Sequence, residues 1–87
     1  MQFECEPQKS AANKSKHGID FDEAQALWED DRVVVVPARG TDEPRFLVVG
    51  MIGVQHWAAM CTTRDELIRI ISVRRARSEE IEFYEGE

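Results

Sequence analysis

Two hydrophobic rhythms divide the chain, and they change over near residue 32. Before it, apolar positions recur every three or four residues. Phe21, Ala24, Leu27 and Trp28 form such a stripe, the pattern of a helix that turns one face to a core. Asp20 precedes the stripe and Glu23 follows three residues later, the spacing of a capping box, with Ile19 and Ala24 at the staple positions. The acidic run Glu29, Asp30, Asp31 opposes the helix dipole, so this helix is expected to end near Trp28 or Glu29. Upstream, Pro7 suits a first helical turn. Residues 8–17 read as a polar helix with a narrow Ala11–Ala12 apolar side, and Gly18 reads as its stop. "QFEC" at 2–5 has room for a short first strand.

After residue 32 the pattern becomes β-branched and alternating. "RVVVVP" (32–37) is a strand closed by proline. "ARGTDE" (38–43) is a turn-rich loop. "RFLVVGMI" (45–52), "VQHWAAMCTT" (54–63) and "LIRIISVRR" (67–75) are strands, separated by turns at Gly53 and at "RDE" (64–66). "SEEIEFYE" (78–85) closes as a short helix, with Ser78 as N-cap and Glu79 and Glu80 in the first turn. The order is β-α-α-β-β-β-β-α. Short turns between later strands imply antiparallel neighbours. The expected fold class is α+β: an antiparallel twisted sheet with two N-terminal helices and a short C-terminal helix.

Period-two geometry sends Leu67, Arg69, Ile71, Val73 and Arg75 to one face of the last strand, and Ile68, Ile70, Ser72 and Arg74 to the other. Neither set is purely polar, so both faces are expected to be partly covered. The head of Arg69, between two apolar neighbours, must reach water, an acid or a ligand.

Length and charge narrow the picture. The 87 residues fit one domain, 1–87. No apolar run approaches the ~20 residues of a membrane span, and "MQFECEPQKS" has neither the basic nor the apolar region of a signal peptide, so a cytoplasmic protein with no membrane partner is expected. A net charge of −6 argues against general nucleic-acid binding. Distribution matters more than the sum. Three of the eleven basic residues lie in 9–16 (Lys9, Lys14, Lys16) and five in 64–77 (Arg64, Arg69, Arg74, Arg75, Arg77), while the acids collect mostly in 20–31 and 79–87. A locally basic surface forms if the fold joins those two segments. Cys5 and Cys61 have no zinc-site spacing and read as reduced thiols, with a disulfide as the alternative. Asp20, Asp22 and Glu23 invite a metal reading, but the capping box explains two of them and no ligand-spaced His or acid follows. No Walker loop, GxSxG or HExxH occurs. No metal or cofactor is expected.

Three stretches carry a family resemblance. "FECEPQKSAANKSKHGIDFDEA" (3–24) is similar to F-x-W-D-x-x-K-x-x-x-N-x-x-K-H-G-x-x-F-x-E-A. "RFLVVG" (45–50) is the second. "TTRDELIRIISVRRARSEEIEFYE" (62–85) is similar to T-x-R, R-I-I-S-x-R-R-A and a final E-x-x-x-Y. In these the chain resembles the BrnT toxins of bacterial type II toxin–antitoxin systems. It departs in carrying Cys5-Glu6 where the family has Trp-Asp: a large packing group is lost and a negative charge kept. The resemblance implies a RelE-like fold, an endoribonuclease that inhibits translation and growth, and an RNA substrate. It also implies a BrnA-like ribbon-helix-helix antitoxin as partner, and DNA contacted only through that antitoxin.

RNA cleavage without a metal uses the 2′-hydroxyl as nucleophile. A catalyst must move its proton, neutralise the phosphate oxygens and protonate the leaving oxygen. Arginine suits the second task because its planar fork stays charged and binds phosphate through two bonds. Arg64, with Arg75 or Arg74, is the first choice of clamp, and Arg69 comes next. Each has an equally available structural reading as an ion pair with an acid. Arg77 reads as a surface residue or antitoxin contact. His17 is the acid–base candidate by its ordinary pKa of about 6.5, or else a helix-end charge. Lys16 either touches phosphate or stays solvated. Tyr84 either stacks or donates a proton, or packs on the sheet. His56 reads as structural, and Phe21, Leu27 and Trp28 as core. The other reading of the whole is a non-catalytic module that binds an antitoxin and serves operon autoregulation. Direct DNA binding ranks last, because no helix carries a basic recognition face.

Overall fold

The computed structural model describes residues 2–38 and 44–86. Residues 39–43 of the loop expected over 38–43 lie outside them. Strand β1 is Phe3–Glu4, helix α1 Pro7–His17 and helix α2 Phe21–Ala24. A 3₁₀ turn, Gln25–Glu29, continues α2. Strands β2 (Val34–Ala38), β3 (Arg45–Ile52), β4 (Gln55–Arg64) and β5 (Leu67–Arg75) follow, then helix α3 (Ser78–Glu85). The fold is α+β, with three helices and a five-stranded sheet ordered β1-β5-β4-β3-β2.

The sheet is mixed rather than antiparallel. β2, β3, β4 and β5 form an antiparallel meander, but β1 pairs parallel to β5 through Phe3–Ile68 and Glu4–Arg69. A strand of two residues has no period to read, and its direction is set by α1, which carries the chain away across the sheet.

The helix ends follow local chemistry, with two corrections. The Asp20 carboxylate accepts from Glu23 N at 2.8 Å and the Glu23 carboxylate accepts from Asp20 N at 2.9 Å, a complete capping box. Gly18 sits at φ 82° after α1, a left-handed position that costs glycine least. The first correction is at α3: Arg77, not Ser78, occupies the cap position, and Glu80 accepts from its backbone N at 2.8 Å. The second concerns α1. Ala11 and Ala12 are exposed, and the buried residue is Asn13. Its side-chain amide donates to Ile19 O (2.8 Å) and Val73 O (2.9 Å) and accepts from Val73 N (3.1 Å). β1 stops at Glu4, so Val73 has no strand beside it on that edge. The Asn13 amide stands in for the missing peptide group and satisfies both of its backbone polar atoms.

α1, α2 and the 3₁₀ turn cover one face of the sheet. Ile19, Phe21, Ala24 and Leu27 pack there on Val48, Ala59, Cys61, Ile70 and Val73, as the helical stripe predicts. Each fully buried side chain of Leu27's size contributes roughly 1.5–3 kcal/mol. Trp28 is partly buried, with its ring edge-on to Phe3 at 4.9 Å. Cys5 and Cys61 are free thiols, and burial pushes the Cys61 thiol up to about 12. α3 covers part of the opposite, outer face, where Tyr84 packs on Val49 and Ala58.

β5 does not keep period two. Cys61 faces Ile70, whereas Met60 faces Ser72, so Ile71 is a surplus residue, a β-bulge. Beyond it the alternation reverses. Ile68, Ile70, Val73 and Arg75 share the helix side, and Arg69, Ser72 and Arg74 share the outer side. The uniform odd–even division expected from sequence fails at this one residue.

Candidate functional site

The uncovered end of the outer face holds the site, and strand register builds it. Ala38 of β2 faces Arg45 of β3. Phe46 faces Cys61, so one step further along Arg45 comes beside Thr62. Thr62 in turn faces Arg69, and Arg69 faces Glu4 of β1. These residues make a row across the sheet. Arg64 lies two positions further along β4, facing Leu67 across a two-residue hairpin. That hairpin holds Asp65 at φ 53° and Glu66 at φ 67°. Two-residue hairpins favour such angles, but non-glycine residues adopt them at a cost. Lys9, from the N-terminal half of α1, reaches the same place. Thr62 Oγ1 donates to Pro44 O and ties down the start of β3.

The result is a hollow of about 360 Å³ lined by Lys9, Arg45, Arg64 and Arg69, with Thr62, Thr63, Pro44 and Ile71 between them. Among the described residues no acidic side chain lines it. Among the described residues none of the four cations has a salt-bridge partner, and Glu4 and Arg69 face each other without forming one. The Arg45 Nε is buried and lacks a hydrogen-bond partner among the described residues. A buried unpaired donor is costly, and four like charges around one hollow repel. Both costs would fall with an anion in the hollow, the electrostatic condition that preorganised oxyanion sites exploit.

The other candidates fall elsewhere. Arg74, on the outer face beyond the bulge, meets Glu80 through two 2.8 Å bonds. The Arg74 guanidinium holds the Glu80 carboxyl below its usual range, outweighing the opposing effect of burial. Arg75 lies on the helix side, its guanidinium carbon 5.7 Å from the Trp57 ring centre, a cation–π arrangement. Tyr84 is buried and donates its hydroxyl to Asp30 Oδ2 at 2.7 Å. Asp30 also accepts from Met51 N (2.9 Å) and Arg32 N (3.0 Å). Burial raises the Asp30 pKa, but the Tyr84 hydrogen bond and the two backbone bonds together bring it below the carboxylate norm. His56 meets Glu85 at 2.8 Å and stands edge-on to Tyr84, in keeping with its structural reading. Lys16 and His17 end α1 and do not line the hollow. Arg77 is exposed at the α3 cap.

The structure therefore brings together Arg64 and Arg69 of the sequence candidates and adds Lys9 and Arg45. Lys9 belongs to the basic segment 9–16 but sits a helix length from the Lys16–His17 end that drew attention. Arg45 is alone in its segment, and only the β3–β4 register carries it to Arg69. A family model described as the ribonuclease toxin BrnT of type II toxin–antitoxin systems matches residues 6–80. The chain belongs to the BrnT family. No curated protein matches it. The BrnT match spans all four cations of the hollow and ends at Glu80, the partner of Arg74. BrnT membership implies an RNA target and an antitoxin partner. Among the described residues no helix is long and apolar enough to cross a membrane.

Proposed function

We propose that this BrnT protein is a cytoplasmic endoribonuclease that cleaves RNA without a divalent metal and so inhibits translation and growth. On this reading a BrnA-type ribbon-helix-helix antitoxin neutralises it, and the uncovered sheet face is used as in RelE-like toxins. Arg64 and Arg69 hold the scissile phosphate. The 2′-oxygen bonds to phosphorus, the bond from phosphorus to the 5′-oxygen breaks, and the proton of the 2′-hydroxyl ends on the 5′-oxygen. The products are a 2′,3′-cyclic phosphate and a 5′-hydroxyl. The observation that carries this reading is the hollow lined by four cations and, among the described residues, by no acid, because charge on the phosphate oxygens is what its side chains neutralise. Arg74, Arg75 and Tyr84 support the fold on this reading, since each has a partner elsewhere. Lys16 and His17 serve the surface: Lys9 and His17 are eight residues apart on α1, about 12 Å along its axis.

The test is purified protein on single-stranded RNA in excess chelator, with product ends identified. Cleavage to cyclic-phosphate ends is expected, and it disappears in R64A/R69A. Undiminished cleavage by that double variant would remove the assignment. A second reading, a non-catalytic module that binds the antitoxin, is favoured by one feature: among the described residues Lys9 is the only proton-transfer side chain lining the hollow. A protein that binds antitoxin tightly, leaves RNA intact and is harmless when expressed alone decides for it.

A further inference from the structure

The hollow holds more positive charge than one phosphodiester needs. A phosphodiester carries a single negative charge, and one arginine fork satisfies two of its oxygens. Four cations line the site, and they form two groups. Arg64 and Arg69 rise from the β4–β5 hairpin. Arg45 stands on β3, two strands from Arg69, a separation of roughly 10 Å between backbones. Its Nε is buried and has no hydrogen-bond partner among the described residues, a donor separate from Arg64 and Arg69. The volume, about 360 Å³, falls within the ~300–1,000 Å³ of ordinary ligand pockets.

We propose that the hollow seats two consecutive phosphates of one single-stranded RNA. Arg64 and Arg69 take the scissile phosphate, and Arg45 with Lys9 takes its neighbour. This rests on the ribonuclease reading for the identity of the first phosphate. Arg45 and Lys9 are positioning residues in this arrangement: they set the register of the strand and the shortest good substrate.

Uncleavable 2′-O-methyl oligonucleotides without terminal phosphates provide the test. A dinucleotide offers one phosphate, a trinucleotide two, a tetranucleotide three. For the unaltered protein, affinity should rise about tenfold from di- to trinucleotide, the worth of one charge-assisted contact, and little further at the tetranucleotide. The slope of log affinity against log salt should steepen by about 0.7 over the same step. R45Q and K9Q should abolish the step and keep dinucleotide affinity, while R64Q lowers affinity for both lengths. R45K, which keeps the charge but not the Nε, should retain the salt slope and lose part of the gain. Equal affinity for di- and trinucleotide in the unaltered protein overturns the proposal, whatever the variants do. So does a step that survives both R45Q and K9Q. If the step appears but unmodified RNA stays intact, the two-phosphate site stands and the ribonuclease reading falls. If RNA is cleaved and the step is absent, the reverse holds.

Discussion

The two ends of the outer sheet face use arginine in opposite ways. At the α3 end, Arg74 is closed off by Glu80, His56 by Glu85 and Tyr84 by Asp30. At the hairpin end, Arg45, Arg64 and Arg69 stand on the strands with Lys9 of α1 beside them, and no carboxylate of the described residues is among the lining side chains. Residue type does not separate the two ends. Among the described residues, what separates them is where an acid comes back over the sheet: α3 brings Glu80 and Glu85 over one end and stops before the other. An arginine that meets a carboxylate of its own chain becomes part of the scaffold. On the proposed reading, those in the hollow that do not are left for an outside anion.

The largest expected effect tests the open end. R64A/R69A should lower RNA cleavage by at least about 10²–10³-fold, the usual loss on removing one preorganised donor. R74A and R75A should stay within a few-fold once protein is matched for folded fraction. Strong loss in R75A with a normal melting curve would break the contrast, by placing a working arginine on the helix side.

The closed end and the Asn13 contact at the β5 edge should respond in stability. Asn13→Leu leaves Val73 N–H and C=O without partners and should cost about 2–3 kcal/mol in urea unfolding. Tyr84→Phe removes a hydrogen bond to a carboxylate and should cost about 1.5–3 kcal/mol, leaving dinucleotide binding unchanged. Loss of binding in Tyr84→Phe would mean that the ends are coupled.

Smaller effects sharpen the same division. The Arg74–Glu80 pair is partly buried and doubly bonded, so a double-mutant cycle should give about 1–2 kcal/mol of coupling, somewhat above an exposed pair. Its pH dependence has a definite sign. The Glu80 carboxyl lies below its unfolded value when folded, so its stabilisation is complete above the ordinary carboxylate range and is lost as pH falls through the depressed folded value. Glu80→Gln should flatten the acid limb of the stability profile. An unchanged acid limb would show that the pair is not formed in solution. The smallest expected effect is at the hairpin. Glu66→Gly removes a side chain from a positive φ and should raise stability by about 1 kcal/mol, with RNA affinity retained.

What the sequence made legible was whatever depends on near neighbours. The Asp20–Glu23 box, the Gly18 stop, the Phe21–Leu27 stripe and the extents of β3 and β5 are all set by residues a few positions apart. What it hid depends on pairing at a distance. Asn13 reads as one more polar residue on a polar helix until Val73, sixty residues on, is placed beside it. Arg45 reads as a strand start until the register sets it beside Thr62. Arg74 and Arg75 change faces because of Ile71, and nothing in an apolar residue within an apolar run marks it as surplus. The Glu80 that occupies Arg74 is only six residues away, but the link crosses a helix cap that sequence placed one residue late.

Gly50 connects the core to this economy of partners. A methyl group there would lie 3.1 Å from Asp30 Oδ2, 3.2 Å from Leu27 Cδ2 and 3.3 Å from Val33 Cγ2. The same carboxylate oxygen receives Tyr84 and the amide of Met51. One hydrogen atom's worth of room in the middle of β3 thus lets a single acid clasp the bend after the 3₁₀ turn, a central strand and the final helix at once. A methyl group at position 50 would press on the 3₁₀ turn, on the bend after it and, through Asp30, on the hold of the final helix, and each neighbour would have to give by a few tenths of an ångström.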